Sequence, residues 1–367
     1  MKPRLLLVTG TLAAGGAERV LSDMANYWAA KGFDVTLATW CGPEVADFYP
    51  LDPTVRRAWL DSPLVKDTTI QQIAVNLRRC GRLRRLIRST RPAALVSFIN
   101  TSNVLAILSG LGLGVRTVVS ERVQPELDPN MSRPWRILRR LLYRLADAIV
   151  VQGKGAASWI AENCGHPALV IPNPLRGLPP THDVREPFIL ATGRLVRQKG
   201  FDLLLRAFAR VERRFPAWRV YIAGEGPERD RLLALRDELG LSGRVELIGV
   251  VRDIETWMAR AGLVVQPSRF EGFPNVVLES MGMGAAVISA DCPAGPSELI
   301  TDGVNGRLVP VDDVSALAQA MDQLMADEAL RARLGREALK VRERYRQERI
   351  MAEWEECLHL NPAGSPA

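Results

Sequence analysis

The sequence predicts an α/β protein built from two domains, each a doubly wound parallel sheet, and three observations carry that expectation. Short aliphatic runs alternate with longer amphipathic segments along nearly the whole chain, the pattern of parallel strands joined by crossover helices. At 367 residues the chain is too long for one typical domain, and its 47% hydrophobic content can fill two cores. The alternation pauses at 172–187, where Pro174, Gly177, Pro179, Pro180 and Asp183 give a loop-like stretch that reads as a linker. The expected divisions are a first domain at 1–172, a linker at 173–186, a second domain at 187–340 and a C-terminal helical tract at 341–367.

In the first half, strand-like runs fall at 5–9, 35–39, 95–98, 117–120 and 148–151. The opening of the chain has the charge and small residues of a signal peptide, but Thr9 and Gly10 interrupt its apolar core after Val8. A first strand followed by the Gly15-Gly16 loop is therefore the better fit. In the second half the strands are expected at 189–192, 220–223, 245–248, 263–266, 286–289 and 307–309, and a charged helical tract closes the chain from Asp327 to His359.

Two constellations carry chemistry. In Glu271-Gly272-Phe273-Pro274-Asn275-Val276-Val277-Leu278-Glu279, two carboxylates flank the start of an apolar helix expected at 275–283, just after a strand. Pro274 fits the first helical position because it needs no amide partner. Carboxylates accept from hydroxyls while free helix amides donate to oxygens, which suits a sugar joined to a phosphate. Upstream, Thr192-Gly193-Arg194-Leu195-Val196-Arg197-Gln198-Lys199-Gly200 puts positive charge between the carboxyl end of a strand and the amino end of a helix, where open α/β sheets bind ligands. Arginine offers a planar fork to phosphate, and lysine a mobile point charge.

Glu271 and Glu279, the glycines and lysine of Gly193 to Gly200, and Gly224-Glu225-Gly226-Pro227-Glu228 resemble the nucleotide-sugar glycosyltransferases of family 4. So do Gly15-Gly16-Ala17-Glu18-Arg19-Val20, Ile171-Pro172-Asn173-Pro174, Gly295-Pro296-Ser297-Glu298 and Asp302-Gly303-Val304-Asn305-Gly306, in the family's order. The resemblance implies a GT-B fold, two Rossmann-like domains facing across a cleft, and sugar transfer with retention of anomeric configuration. In such proteins the C-terminal helical tract often crosses back to the first domain. It implies a UDP-linked donor carrying a hexose or N-acetylhexosamine, and a growing bacterial surface glycan, lipid-linked, as acceptor. By the same resemblance Glu279 binds ribose hydroxyls, and Glu271, Gly272, Phe273, Pro274 and Asn275 hold the donor sugar. Arg194 and Lys199 stabilise the departing diphosphate, with Gly16 beside the donor. Gly15, Glu121 and Arg122 are candidates for positioning acceptor or sugar, Glu121-Arg122 standing where many relatives carry a histidine. Glu121 would accept the acceptor's proton, or pair with Arg122.

No cofactor is expected. His166, His182 and His359 are scattered and no Asp-x-Asp triad is present, so the sequence requires no metal. Five dispersed cysteines, an odd number without a Cys-x-x-Cys pair, fit free thiols in a reducing compartment, and no run approaches the roughly 18 apolar residues of a membrane span. The cytoplasm, at the inner face of the plasma membrane, is the expected location. Residues 1–175 hold 22 Lys and Arg against 13 Asp and Glu, net +9. Within them Arg133, Arg136, Arg140 and Arg144 share one side of a helix that shows Trp135, Leu138, Leu141, Leu142 and Leu145 on the other. Either this helix meets an anionic membrane, or its apolar stripe packs on the sheet and the arginines face water. Nucleic acid is not expected, since no recognition motif accompanies the charge.

Three other classes fit less well. A Rossmann oxidoreductase needs the third glycine that Gly224-Glu225-Gly226-Pro227 lacks. A basic adaptor leaves the paired glutamates without purpose, and a sugar-nucleotide epimerase of the same fold would be told apart by its products.

Overall fold

The computed structural model describes residues 2–60, 69–123, 126, 131–175, 185–293 and 295–360. The expected linker lies largely outside these residues, as does His182. The chain forms two compact units, one of residues 1–173 with 350–367 and the other of residues 174–349.

The first unit runs β1 (Arg4–Thr9), α1 (Gly16–Ala30), β2 (Asp34–Thr39), β3 (Arg56–Trp59), α2 (Thr69–Thr90), β4 (Ala94–Phe98), α3 (Asn100–Gly110), β5 (Arg116–Ser120), α4 (Arg133–Leu142), β6 (Ala148–Val151), α5 (Lys154–Cys164) and β7 (Ala168–Val170). Its seven strands are parallel, in the order β3-β2-β1-β4-β5-β6-β7. β1, β4 and β6 are almost wholly buried, so they read as unbroken aliphatic runs, as strands covered on both faces do. β3 and β7 lie at the edges and were not legible. β3 is Arg-Arg-Ala-Trp, whose Arg57 reaches Asp47 at 2.8 Å and the Leu37 carbonyl at 2.8 Å, and β7 has three residues. Chain end and sheet share a core, in which Ile350, Met351 and Trp354 join Phe98, the two rings 6.1 Å apart. Lys31 holds Glu355 at 2.7 Å.

The second unit repeats the scheme with β8 (Glu186–Thr192), α6 (Phe201–Val211), β9 (Arg219–Ala223), α7 (Arg229–Glu238), β10 (Val245–Gly249), α8 (Ile254–Arg260), β11 (Ala261–Gln266), α9 (Asn275–Gly282), β12 (Val287–Ala290), α10 (Pro296–Leu299) and β13 (Arg307–Val309). Then come α11 (Val314–Ala326), α12 (Glu328–Ala338), α13 (Val341–Arg344) and α14 (Gln347–Cys357), so the helical tract expected from Asp327 to His359 consists of α12, α13 and α14. Asp313 and Asp327 start α11 and α12 by accepting from the Ala316 and Leu330 amides, each at 2.8 Å. The six strands are parallel in the order β10-β9-β8-β11-β12-β13. The direction of winding reverses between β8 and β11. The carboxyl ends of those two strands are therefore where a doubly wound sheet offers a ligand site.

Candidate functional site

The loops that leave β8 and β11 are the two constellations singled out in the sequence, and they meet. After β8, Arg197–Lys199 form one tight turn, and Gly200, at φ 66°, leads into α6. An added Cβ on Gly200 would lie 2.0 Å from the Pro267 carbonyl oxygen, so only glycine lets the β8 loop lie on the β11 loop. Gly224, after β9, packs equally close, its imagined Cβ 1.9 Å from the Gly193 carbonyl oxygen. Further bonds fix the contact. The Arg269 amide donates to the Gln198 carbonyl at 2.8 Å, and Gln198 Nε2 donates to the Phe270 carbonyl at 2.8 Å.

These contacts place Lys199 Nζ 2.7 Å from Glu271 Oε1 and 3.0 Å from Oε2. Gln266 Nε2, at the end of β11, donates to the same carboxylate at 3.0 Å. Glu271 is 5% exposed and Glu279, in the middle of α9, is 7% exposed. The negative field of Glu271 is felt by its neighbour Cys292, whose thiol is pushed up to about 12, first by burial and then by that charge. Arg194 is exposed, its carbonyl accepting from the Val196 amide at 2.8 Å and its guanidinium making no hydrogen bond or ion pair among the described residues. Gly272 and Phe273 are half-buried in the loop, and Pro274 sits one place earlier than expected, flanking the helix that Asn275 begins. The segments that follow β8 and β11 thus carry an exposed cation, a paired cation, two buried carboxylates and a helix amino terminus at the carboxyl ends of two central strands. Cations and amides suit a diphosphate, and carboxylates suit hydroxyls.

A support that sequence reasoning missed is Arg269, which donates to Asp202 at 2.9 Å from both NH1 and NH2, to the Arg197 carbonyl at 2.7 Å and to Asp312 at 2.7 Å. It ties the β11 loop to the first turn of α6. Burial raises the Asp202 carboxyl, yet the bonds from Arg269 outweigh it and hold the group below its ordinary range. The stability from this pair is complete above the unfolded value of about 3.9 and is lost as pH falls through the lower folded value. Asp202→Asn is expected to lower the melting temperature at neutral pH, the gap to wild type closing below about pH 4. A gap that stays constant through that range would contradict the pairing.

In the first unit, Gly15 caps α1 in an extended conformation with the Glu18 carboxylate folded over it, an added Cβ lying 2.2 Å from Glu18 Oε2. Gly16 is the first residue of α1 and exposed. Glu121 and Arg122 do not pair with each other, because consecutive residues leaving β5 point to opposite sides. Arg122 is buried, donates to Asn173 and Ser120, and stacks 4.2 Å from the Phe98 ring centroid. Burial lowers its guanidinium to about 9, with the Glu18 charge acting the other way. Glu121, 2% exposed, accepts from Tyr143 Oη at 2.5 Å and lies 3.5 Å from Arg139 NH1. Asn103 Nδ2 donates to the same tyrosine oxygen at 3.0 Å. Burial, then Glu121, raises the Tyr143 phenol well above its usual value, so it stays a donor. The carboxylate read as a proton acceptor is committed to a buried pair.

Among the described residues no three His, Cys, Asp or Glu are grouped as a metal ion would need, and no helix is long and apolar enough to cross a membrane.

The family described as glycosyl transferases group 1 matches residues 179–341, and the glycosyl transferase 4-like domain matches residues 15–174. A relative 28% identical over 96% of this chain and 97% of its own is an α-1,4-N-acetyl-D-galactosaminyltransferase of Campylobacter jejuni, named as acting on an undecaprenol-diphosphate-linked glycan. The exopolysaccharide phosphotransferase SCO2592 of Streptomyces coelicolor is 37% identical over 57% of this chain, which spans only 23% of that relative. Among solved structures, Anabaena Alr3699/HepE in complex with UDP superposes with a TM-score of 0.81 at 19% identity, covering 98% of this chain and 100% of that one.

Proposed function

Because the chain belongs to the family 4 glycosyltransferases and has their GT-B fold of two Rossmann-like domains, we propose that it moves a hexose or N-acetylhexosamine from a UDP-sugar to a growing, lipid-linked bacterial surface glycan, with retention of configuration. The observation that carries the donor site is the meeting of Lys199 and Glu271 where the second sheet reverses its winding. Breaking the sugar–phosphate bond builds negative charge on the diphosphate, and Arg194, Lys199 and the α9 amides are the groups assigned to it. Glu271 orients the donor sugar beside Gly272, Phe273, Pro274 and Asn275, and Glu279 holds ribose. In the first unit the buried Glu121–Arg139 pair supports the loop after β5, Arg122 and Gly15 are assigned to positioning acceptor or sugar, and Gly16 to the donor. The Campylobacter relative supports the lipid-linked acceptor, and the UDP-bound structure supports the nucleotide. The five cysteines are unpaired, which supports action in a reducing compartment.

These charges are sufficient for the leaving group, so no divalent ion is assigned to the reaction. Transfer is expected to survive exhaustive dialysis against EDTA, followed by assay of UDP release over a panel of UDP-sugars. Complete loss that magnesium or manganese restores would overturn that assignment.

A further inference from the structure

We infer that Gln266 is a positioning residue for Glu271, the carboxylate that the proposed function sets against the donor sugar. The inference deepens that function and rests on it for the role of Glu271. Gln266 ends β11, a central strand of the second sheet, where its backbone pairs with Ser289 of β12. It is 1% exposed. Its Nε2 donates to Glu271 Oε1 at 3.0 Å and to Ser268 Oγ at 2.7 Å.

Strand alternation makes a glutamine here unexpected. Leu263 and Val265 enter the core beside α6, while Val264 enters the core that holds Val277, Leu278 and Met281 of α9. Gln266 follows Val264 on that second face. The fold alone asks for an aliphatic side chain there, since a buried amide must find partners to offset its lost hydration. One of the partners it finds is the carboxylate of the donor loop.

Glu271 has two donors of different kinds. Lys199 brings charge on a flexible stem and reaches both carboxylate oxygens, at 2.7 and 3.0 Å. The same ammonium is assigned to the departing diphosphate, so it cannot alone fix the carboxylate through the reaction. Gln266 is neutral and is held by the strand and by Ser268. It therefore sets the direction of Oε1 without cancelling the negative charge offered to the sugar. An ionised carboxylate only accepts, so the amide nitrogen, and not its oxygen, faces Glu271. A group that orients a reacting sugar has to be held within about 0.5 Å of its productive place, which a second, rigid donor secures.

The test is steady-state kinetics of UDP release on four variants, with the UDP-sugar that wild type turns over fastest. They are Gln266→Met, which keeps the volume and removes the donor; Gln266→Asn, whose amide is one carbon too short; Glu271→Gln; and Gln266→Met combined with Glu271→Gln. Each Gln266 variant should lower kcat at least about tenfold, with donor KM and calorimetric UDP affinity within about twofold of wild type, because the amide bonds no group assigned to the diphosphate. The double variant should be no slower than Glu271→Gln alone, since the amide acts through that carboxylate. Single losses that multiply in the double variant would make Gln266 a structural residue, and so would a change confined to melting temperature and UDP affinity. A kcat within about twofold of wild type in both Gln266 variants overturns the inference outright. Glu271→Gln as fast as wild type, with UDP still bound, would withdraw the donor-sugar role of Glu271 and the inference with it, a failure told apart from that of Gln266 alone.

Discussion

Arg139→Ala is expected to destabilise the first unit by about 3–5 kcal/mol, because it strands the Glu121 carboxylate in the interior. For a unit of this size that is a fall of roughly 6–20 °C in its melting transition. The cause is the loss of one half of a buried pair, and the pair itself need not be worth that much. Removing both charges, with Glu121→Met and Arg139→Leu, is therefore expected to recover most of the loss. Tyr143 would still keep its bond from Asn103. A mild effect of the single change, or a double variant as unstable as the single, would show that Arg139 does not neutralise Glu121.

The pair also marks where the sequence stopped being legible. Period-based reasoning found the central strands of both sheets, because parallel strands buried on both faces are continuous aliphatic runs. It missed β3, since an edge strand need not be apolar, and Arg56 and Arg57 there are solvated or paired with Asp34 and Asp47. It also left the rotation of α4 open, and in the structure Trp135 and Leu142 pack on the core while Leu138, Leu141 and Leu145 stay exposed. The helical spacing of Leu138, Leu141, Leu142 and Leu145 does not say which way the stripe turns, because the deciding partner of Arg139, Glu121, lies outside the helix and leaves no trace in that spacing. The two loops of the proposed donor site were legible as loops that meet, because glycines and charges at strand ends are local signals. Arg269 was not, because its partners Asp202 and Asp312 are distant in sequence and meet only after the sheet is wound.

The second large effect is expected in the donor loop. Lys199→Ala and Arg194→Ala should each lower kcat/KM by about 10- to 150-fold, the consequence of removing a charge-assisted bond worth roughly 1.5–3 kcal/mol. Most of the loss should appear in kcat, since diphosphate charge grows as the sugar departs. Arg194 is exposed, so its variant should melt like wild type. Lys199→Ala also leaves Glu271 without its cation, and Lys199→Arg, which keeps the charge, should retain more activity than alanine. Glu271→Gln should lower kcat if that carboxylate orients the reacting sugar, and Glu279→Gln should chiefly raise the donor KM if it holds ribose. Near-normal kcat/KM in both Arg194→Ala and Lys199→Ala would remove the phosphate role from this loop.

The most direct measurement is calorimetric titration of UDP and of uridine into wild type and Lys199→Ala. If the loops after β8 and β11 hold a nucleoside diphosphate, UDP binds wild type at least about tenfold more tightly than uridine, and the variant loses most of that difference while uridine affinity hardly moves. Equal binding of UDP and uridine by wild type, or an undiminished preference for UDP in the variant, would contradict a diphosphate site at Lys199.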